Sequence, residues 1–253
     1  MILLNSKSKR FPNGLGNDNG LLGKYIAFHN YKVSISAEFD GNLDKTTEGR
    51  RPTSAYVPRF RNVHKQETDF LRGYAAGFSA SRKIIQNKNG VGEELKENLL
   101  NPTYGNWRVG SHMMGETIPK EKSQLSLDAT KTDKYGIPQL RINLDYDEND
   151  LKMVDDYVEQ FTEMFEAAGF TNIKSNDNNR APGNDIHEMG GVRMGKDPKT
   201  SLLDKWNRLH TCKNVYVTDG ACMTSTATQN PSLTYMALTA RAVDHAIKAS
   251  KKG

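Results

Sequence analysis

The sequence predicts an α+β fold, an antiparallel sheet with helices on one face. Three observations carry this. Short runs alternate apolar and polar residues and are separated by turn-forming residues. A single long stripe recurs at helical spacing after Asp147. Beyond Thr171 the composition shifts to polar and glycine-rich loops that end in one more helix.

In chain order, residues 5–20 (NSKSKRFPNGLGNDNG) have loop composition, and Leu21 to Phe28 reads as a short helix. The run YKVSISAEF puts Tyr31, Val33, Ile35, Ala37 and Phe39 on one face of a strand. Residues 40–66 return to charge, proline and glycine. Phe70 to Ser81 reads as a second strand of small residues, where glycine permits close approach. Weaker strand patterns cover Trp107 to Thr117 and Gln124 to Asp128, and YGIP at 135–138 turns into Gln139 to Asp145. SQLSLD and PQLRINLD both alternate, as antiparallel neighbours do.

The clearest helix begins near Asp147, with Leu151, Val154, Val158, Phe161, Phe165 and Ala168 as its apolar stripe and Gly169 as its stop. Acidic residues crowd its first turn, where the helix dipole favours them. The stripe reads as ordinary core packing. Residues 174–185 read as polar loop, and NVYVTDGA at 214–221 as a short strand ending in Asp219-Gly220. The last helix takes Asn230 as N-cap and Pro231 at its first position, with Leu233, Met236, Ala237, Ala240 and Val243 on its apolar face.

Composition excludes several classes. A chain of 253 residues with 36% hydrophobic content is a folded protein and not a disordered tail. Its net charge of +5 is scattered through mixed-sign stretches, which argues against nucleic-acid binding. Two cysteines, Cys212 and Cys222, are too few for a disulfide framework or a four-ligand metal site and read as buried or idle thiols. No apolar run approaches a membrane span, and the start lacks the features of a secretory signal, so the sequence as written reads as cytoplasmic. MILLNS runs from apolar residues straight into loop, as though sequence were missing upstream.

The most informative stretch is HEMGGVRMGKDP at 187–198. A zinc helix of the H-E-x-x-H type would need histidine at 191, which is glycine. His187 instead follows a polar loop and precedes two glycines, which fits a histidine held at a turn, where it can take a proton from an alcohol. The paired glycines would let a planar cofactor approach. Asp219 at a strand end can accept a hydroxyl hydrogen bond, and the amino end of the last helix suits an anionic ligand atom. His29, His64, His112, His210 and His245 read as solvated loop histidines, His112 least securely because it precedes Met-Met-Gly-Glu.

The order and spacing of these segments, HEMGGVRMGKDP followed by SLLDKWNRLHTCKNVYVTDGACMTSTATQNPSLTYMALTARAVDHAI, resembles the C-terminal signature of the glucose-methanol-choline (GMC) family of FAD-dependent oxidoreductases. The resemblance implies that His187 is the catalytic base and Asn230 the second catalytic position, hydrogen-bonded to the same substrate oxygen. It implies that Asp219 and Gly220 contact the flavin, and that Pro231 and Thr234 begin the helix beside its pyrimidine ring. The glycine pair with Arg193-Met194-Gly195 is most similar to bacterial sugar-oxidising members. Gly191 departs from the family pattern, which has threonine there.

The implied reaction is oxidation of a primary or secondary alcohol, a sugar or polyol hydroxyl, by proton abstraction and hydride transfer to flavin N5. The implied architecture is a substrate-domain sheet over residues 20–171 and a partial FAD-domain segment over 175–253, with residues 1–19 as a link. The family's Rossmann-like half should open with a strand, a G-x-G-x-x-G turn and a helix. Neither PNGLGNDNG nor GVGEEL qualifies, so that half is expected to be absent. FAD binding by the chain alone is therefore expected to be weak, with a separate N-terminal FAD-binding polypeptide as partner. An inactive remnant and a non-enzymatic sugar-binding module remain open at this stage.

Overall fold

The computed structural model describes residues 1–45, 54–85, 89–184 and 186–251. A short helix α1 (Ile2–Asn5) precedes the strands β1 (His29–Asn30), β2 (Val33–Phe39), β3 (Ser54–Val57) and β4 (Tyr74–Ile85). Then come α2 (Gly92–Leu100), β5 (Thr103–Glu116), the hairpin β6 (Gln124–Thr132) and β7 (Pro138–Asn143), α3 (Glu148–Ala167), β8 (Thr171–Asp177) and α4 (Ser232–Ser250). The α+β class expected from the sequence is the class observed. Six strands form one antiparallel sheet in the order β3-β4-β5-β2-β8, with β1 pairing β5 off that path, and β6-β7 stand apart as a two-stranded ribbon.

The main core lies between this sheet and α3. Val33, Ile35 and Ala37 alternate inward from β2 and meet Met153, Tyr157, Phe161 and Phe165. Asp147 and Asp150 form a reciprocal capping box, Asp150 N–H donating to Asp147 Oδ1 at 3.0 Å and Asp147 N–H to Asp150 Oδ2 at 3.1 Å. Gly169, at φ 77°, terminates the helix. The buried stripe is rotated from the sequence reading. Met153 and Tyr157 are buried while Leu151 is 45% exposed, because helix and sheet approach closely at Gly115, where a Cβ would stand 2.7 Å from the Met153 sulfur.

Several expectations are corrected. Leu21–Phe28 is not a helix. Gly23 and Tyr25 both have positive φ, and a side chain at Gly23 would stand 2.3 Å from the Leu125 carbonyl oxygen, so the segment runs extended between two partners. Residues 174–177, the start of the stretch read as polar loop over 174–185, belong to the edge strand β8. An edge strand needs no apolar alternation, and six of its seven residues are exposed. Asn214–Thr218 does not form a strand, since its pairing is the single bridge Arg208↔Tyr216, while Val215 and Val217 pack into a second cluster with Leu203, Leu209 and Cys222. α2 was not expected and buries no residue. Of residues 40–66, read as a return to charge, proline and glycine, 46–53 lie outside the described residues and Ser54–Val57 form β3.

α4 rests on the second cluster through Leu238 and buries Ala242. The stripe read as its packing face is exposed, Leu233 at 80% and Met236 at 62%. Among the described residues, no helix is long and apolar enough to cross a membrane.

Candidate active site

The segment carrying His187 is threaded against the chain around β1. Ala27 N–H donates to Met189 O and Met189 N–H to Ala27 O, both at 2.8 Å, which makes an antiparallel bridge. In that antiparallel register, the residue two positions after Ala27 faces the residue two positions before Met189. They are His29 and His187, whose Nε2 and Nδ1 lie 3.1 Å apart. The rings are edge-to-face, with centroids separated by 5.2 Å and planes at 84°. His187 itself has φ 68°, a left-handed conformation in which its backbone leaves the ladder and its ring stays half-buried at the groove.

Glycine at 190 and 191 is explained by chain packing. A Cβ on Gly190 would stand 2.3 Å from Tyr25 O, and Gly191, whose carbonyl accepts from Gly23 N–H at 2.8 Å, has φ 82°. The pair therefore lets the histidine segment cross residues 23–27. Arg193 then lies over the Tyr25 ring at 3.6 Å and fastens the crossing.

Asp219 ends the extended stretch and caps a 3₁₀ turn at Gly220–Cys222, its Oδ1 accepting from Ala221 N–H at 2.9 Å. Gly220 lies against Met189, whose sulfur would be 2.5 Å from a Cβ there. These elements enclose an open groove of ≈ 600 Å³ that His187, Asp219, Gly220 and Pro231 line together. Ile26, Leu125 and Leu144 with Met189 make its apolar wall, the β7 residues Leu140 and Ile142 extend it, and Tyr235 completes it from α4.

Asn230 and Thr234 are exposed at the start of α4 and stand outside the groove lining. The N-cap position falls at Pro231 with no side-chain capping bond, so Asn230 does not cap the helix as expected. Among the described residues no side chain caps the first turn of α4. Cys222 is buried, and burial pushes its thiol above the ordinary range, as befits an idle cysteine. No group of three or more potential metal-ligating side chains occurs among the described residues.

Reading the sequence missed His29, Tyr235 and Glu116. His29 is 3% exposed and not a solvated loop histidine. Its only sequence signal is its place just before a strand, which does not reveal its partner 158 positions away. Glu116 is also buried. It pairs His29 across β1 and β5, accepts a short hydrogen bond from Ser225 Oγ, and has Arg59 and Arg72 nitrogens at 3.6 Å.

This combination, a histidine on a loop bridged to the chain before β1 and sharing a groove with Asp219-Gly220 and the start of α4, agrees with the comparisons to known proteins. Residues 119–239 match the family model described as GMC oxidoreductase. The chain is 30% identical over 96% of its length to a 2-methyl-1,2-propanediol dehydrogenase of Mycolicibacterium austroafricanum, covering 45% of that protein. It is 28% identical over its full length to the fructose dehydrogenase large subunit of Gluconobacter japonicus, covering 46% of it. A solved structure of pyridoxine 4-oxidase from Mesorbium loti matches 90% of the chain and 43% of its own, at 14% identity and a TM-score of 0.46.

The chain thus carries the C-terminal domain of the GMC oxidoreductases. It spans about half the length of the curated relatives it matches. Members of the family are FAD flavoproteins that act on alcohol groups.

Proposed function

We propose that this chain supplies the substrate-facing part of an FAD-dependent oxidation of a primary or secondary alcohol, a sugar or polyol hydroxyl. The observation that carries the reading is the convergence on one groove of His187, Asp219, Gly220 and Pro231, three separate segments of the chain. His187 Nδ1 is engaged by His29, and among the described residues its Nε2 has no protein partner. That nitrogen is the one available to take the substrate hydroxyl proton. Asn230, exposed beside the groove with its amide uncommitted to the helix, is the candidate donor to the substrate oxygen.

The residues present fit the ring end of FAD. Gly220 lines the groove with backbone, the walls are apolar, and the uncapped start of α4 presents N–H groups toward negative charge. Asp219, Gly220, Pro231 and Thr234 would hold the cofactor there. When bound, FAD supplies the two-electron acceptor that alcohol oxidation requires. The names of the relatives, a diol dehydrogenase and a fructose dehydrogenase, support the alcohol class, and the "large subunit" among them supports a partner polypeptide. We assign the substrate domain to residues 20–171 and the active-site segment to 175–253.

The test is titration of the chain with FAD, followed by flavin fluorescence and absorbance, with and without a polypeptide bearing the dinucleotide fingerprint. The expected result is tight binding with that partner and flavin bleaching by an aldose or diol, lost in His187→Ala. FAD uptake in neither condition would overturn the proposal.

A further inference from the structure

We infer that His29 is a positioning residue for His187, holding it in the tautomer that leaves its Nε2 lone pair open to the groove. This rests on the proposed role of His187 as base. The two nitrogens, His187 Nδ1 and His29 Nε2, lie 3.1 Å apart, and in the inferred tautomer the bond runs from His187 Nδ1–H to His29 Nε2. A neutral imidazole has one donor and one acceptor nitrogen, so a proton fixed on Nδ1 leaves Nε2 as the acceptor. On taking the hydroxyl proton at Nε2, the His187 ring becomes cationic while its Nδ1–H stays directed at His29. No proton need pass to His29.

The geometry is that of a built support. His29 is 3% exposed, and both flanking residues are tied down. Phe28 N–H donates to Thr117 Oγ1 at 3.2 Å, and Thr117 Oγ1 donates to Phe28 O at 2.5 Å. On the other side, Asn30 Nδ2 donates to Asp150 O at 2.8 Å, which fixes β1 to the first turn of α3. Tyr31 packs edge-on against the His29 ring with centroids 5.4 Å apart. The Ala27↔Met189 bridge sets the two histidines in register. His187 sits on a loop in a left-handed conformation, with nothing else among the described residues to orient its ring, so its orientation comes from the sheet through His29.

The tautomer is measurable without flavin. In the chain labelled with 15N-histidine, long-range 1H–15N NMR reads which ring nitrogen of His187 carries the proton. The expected result is Nδ1–H in the wild type, loss of that preference in His29→Phe, and its return in His29→Gln, whose side-chain oxygen can accept the same bond. A wild-type His187 protonated at Nε2, or a tautomer indifferent to His29→Phe, would overturn the inference. The wild-type spectrum decides even if His29→Phe fails to fold.

In the FAD-loaded protein with its partner, His29→Phe should lower kcat roughly 10- to 100-fold with KM nearly unchanged, and His29→Gln should recover most of it. Alcohol oxidation that survives His187→Ala would overturn the proposed reaction while an Nδ1–H tautomer still established the His29 support. The two failures are therefore distinguishable.

Discussion

Glu116 and Ser225 join the sheet to the loop that leads into α4. Ser225 Oγ donates to the buried Glu116 carboxylate, and its oxygen also accepts from Ala227 N–H at 2.9 Å, in a turn where Ala227 has φ 52°. A second tie is Tyr56 OH, which donates to Thr228 O at 2.9 Å. The loop carrying Asn230 is thus registered on β5 and β3, and the strand end that holds Glu116 also pairs with His29. Ser225→Ala removes the donor and leaves the buried Glu116 Oε1 with Arg72 at 3.6 Å, while Arg59 stands 3.6 Å from Oε2, which should cost about 1–3 kcal/mol in chemical denaturation. In the FAD-loaded protein the same variant should raise KM for the alcohol. Unchanged stability and KM would show that the loop is held by other contacts.

A second prediction concerns pH. Burial raises the Asp150 carboxyl to about 6, with Lys120 opposing the shift, and its Oδ1 has no hydrogen-bond partner among the described residues. A carboxyl whose folded value lies above its unfolded one favours the fold when protonated. Its contribution is fully present below about pH 4 and is lost as pH rises through about 6. At neutral pH the ionised group is a liability on the order of 2–3 kcal/mol. Asp150→Asn keeps an acceptor for Asp147 N–H and removes the charge. The variant should melt higher than wild type at pH 7.5, and the gap should close toward pH 4. A constant gap between those pH values would refute the assignment.

These residues also mark how far the sequence could be read. The β2 alternation and the long α3 period are local signals, and both elements formed where the pattern placed them. Asp147 and Gly169 bound the helix as their chemistry requires. The α3 stripe was rotated because Gly115, on a distant strand, admits Met153. The His187, Asp219, Gly220 and Pro231 positions were legible because family spacing marks them, and the fold brings them to one groove. His29 and Glu116 were not legible, since their roles exist only in the β1–β5 register and in partners more than 100 positions away. β8 escaped notice because an edge strand carries little apolar signal.

The glycine pair gives a third prediction. Gly190 has φ 88° and no room for a Cβ beside Tyr25 O. Gly190→Ala adds left-handed strain of about 1 kcal/mol and a backbone clash that must displace one segment. A total loss of roughly 2–4 kcal/mol is expected, together with a changed His187 NMR environment from distortion of the Ala27↔Met189 bridge. At Gly136, where φ is 79° and an added Cβ would meet nothing within 4 Å beyond its chain neighbours among the described residues, alanine should show the strain alone. Equal losses at the two sites would mean that the crossing relaxes without cost.

The last prediction tests the polar cluster under the sheet. Arg61 donates to Asp156 through Nε at 3.0 Å and Nη2 at 2.8 Å, and Tyr74 OH donates to Asp156 Oδ2 at 2.5 Å. Tyr74 is fully buried, and its ring packs on Tyr157 and Phe161. Asp156→Ala leaves a buried phenol and a partly buried guanidinium without their acceptor, so a loss of about 3 kcal/mol is expected. Tyr74→Phe removes only one donor, while Asp156 keeps its bidentate arginine, and should cost about 1 kcal/mol. Denaturation of the two single variants and the double variant checks this. In the double variant the phenol is already gone, so the combined loss should fall short of the sum by the coupling between Tyr74 and Asp156. Strict additivity would show that the 2.5 Å contact contributes no net stability and that the ring packing alone holds Tyr74 in place.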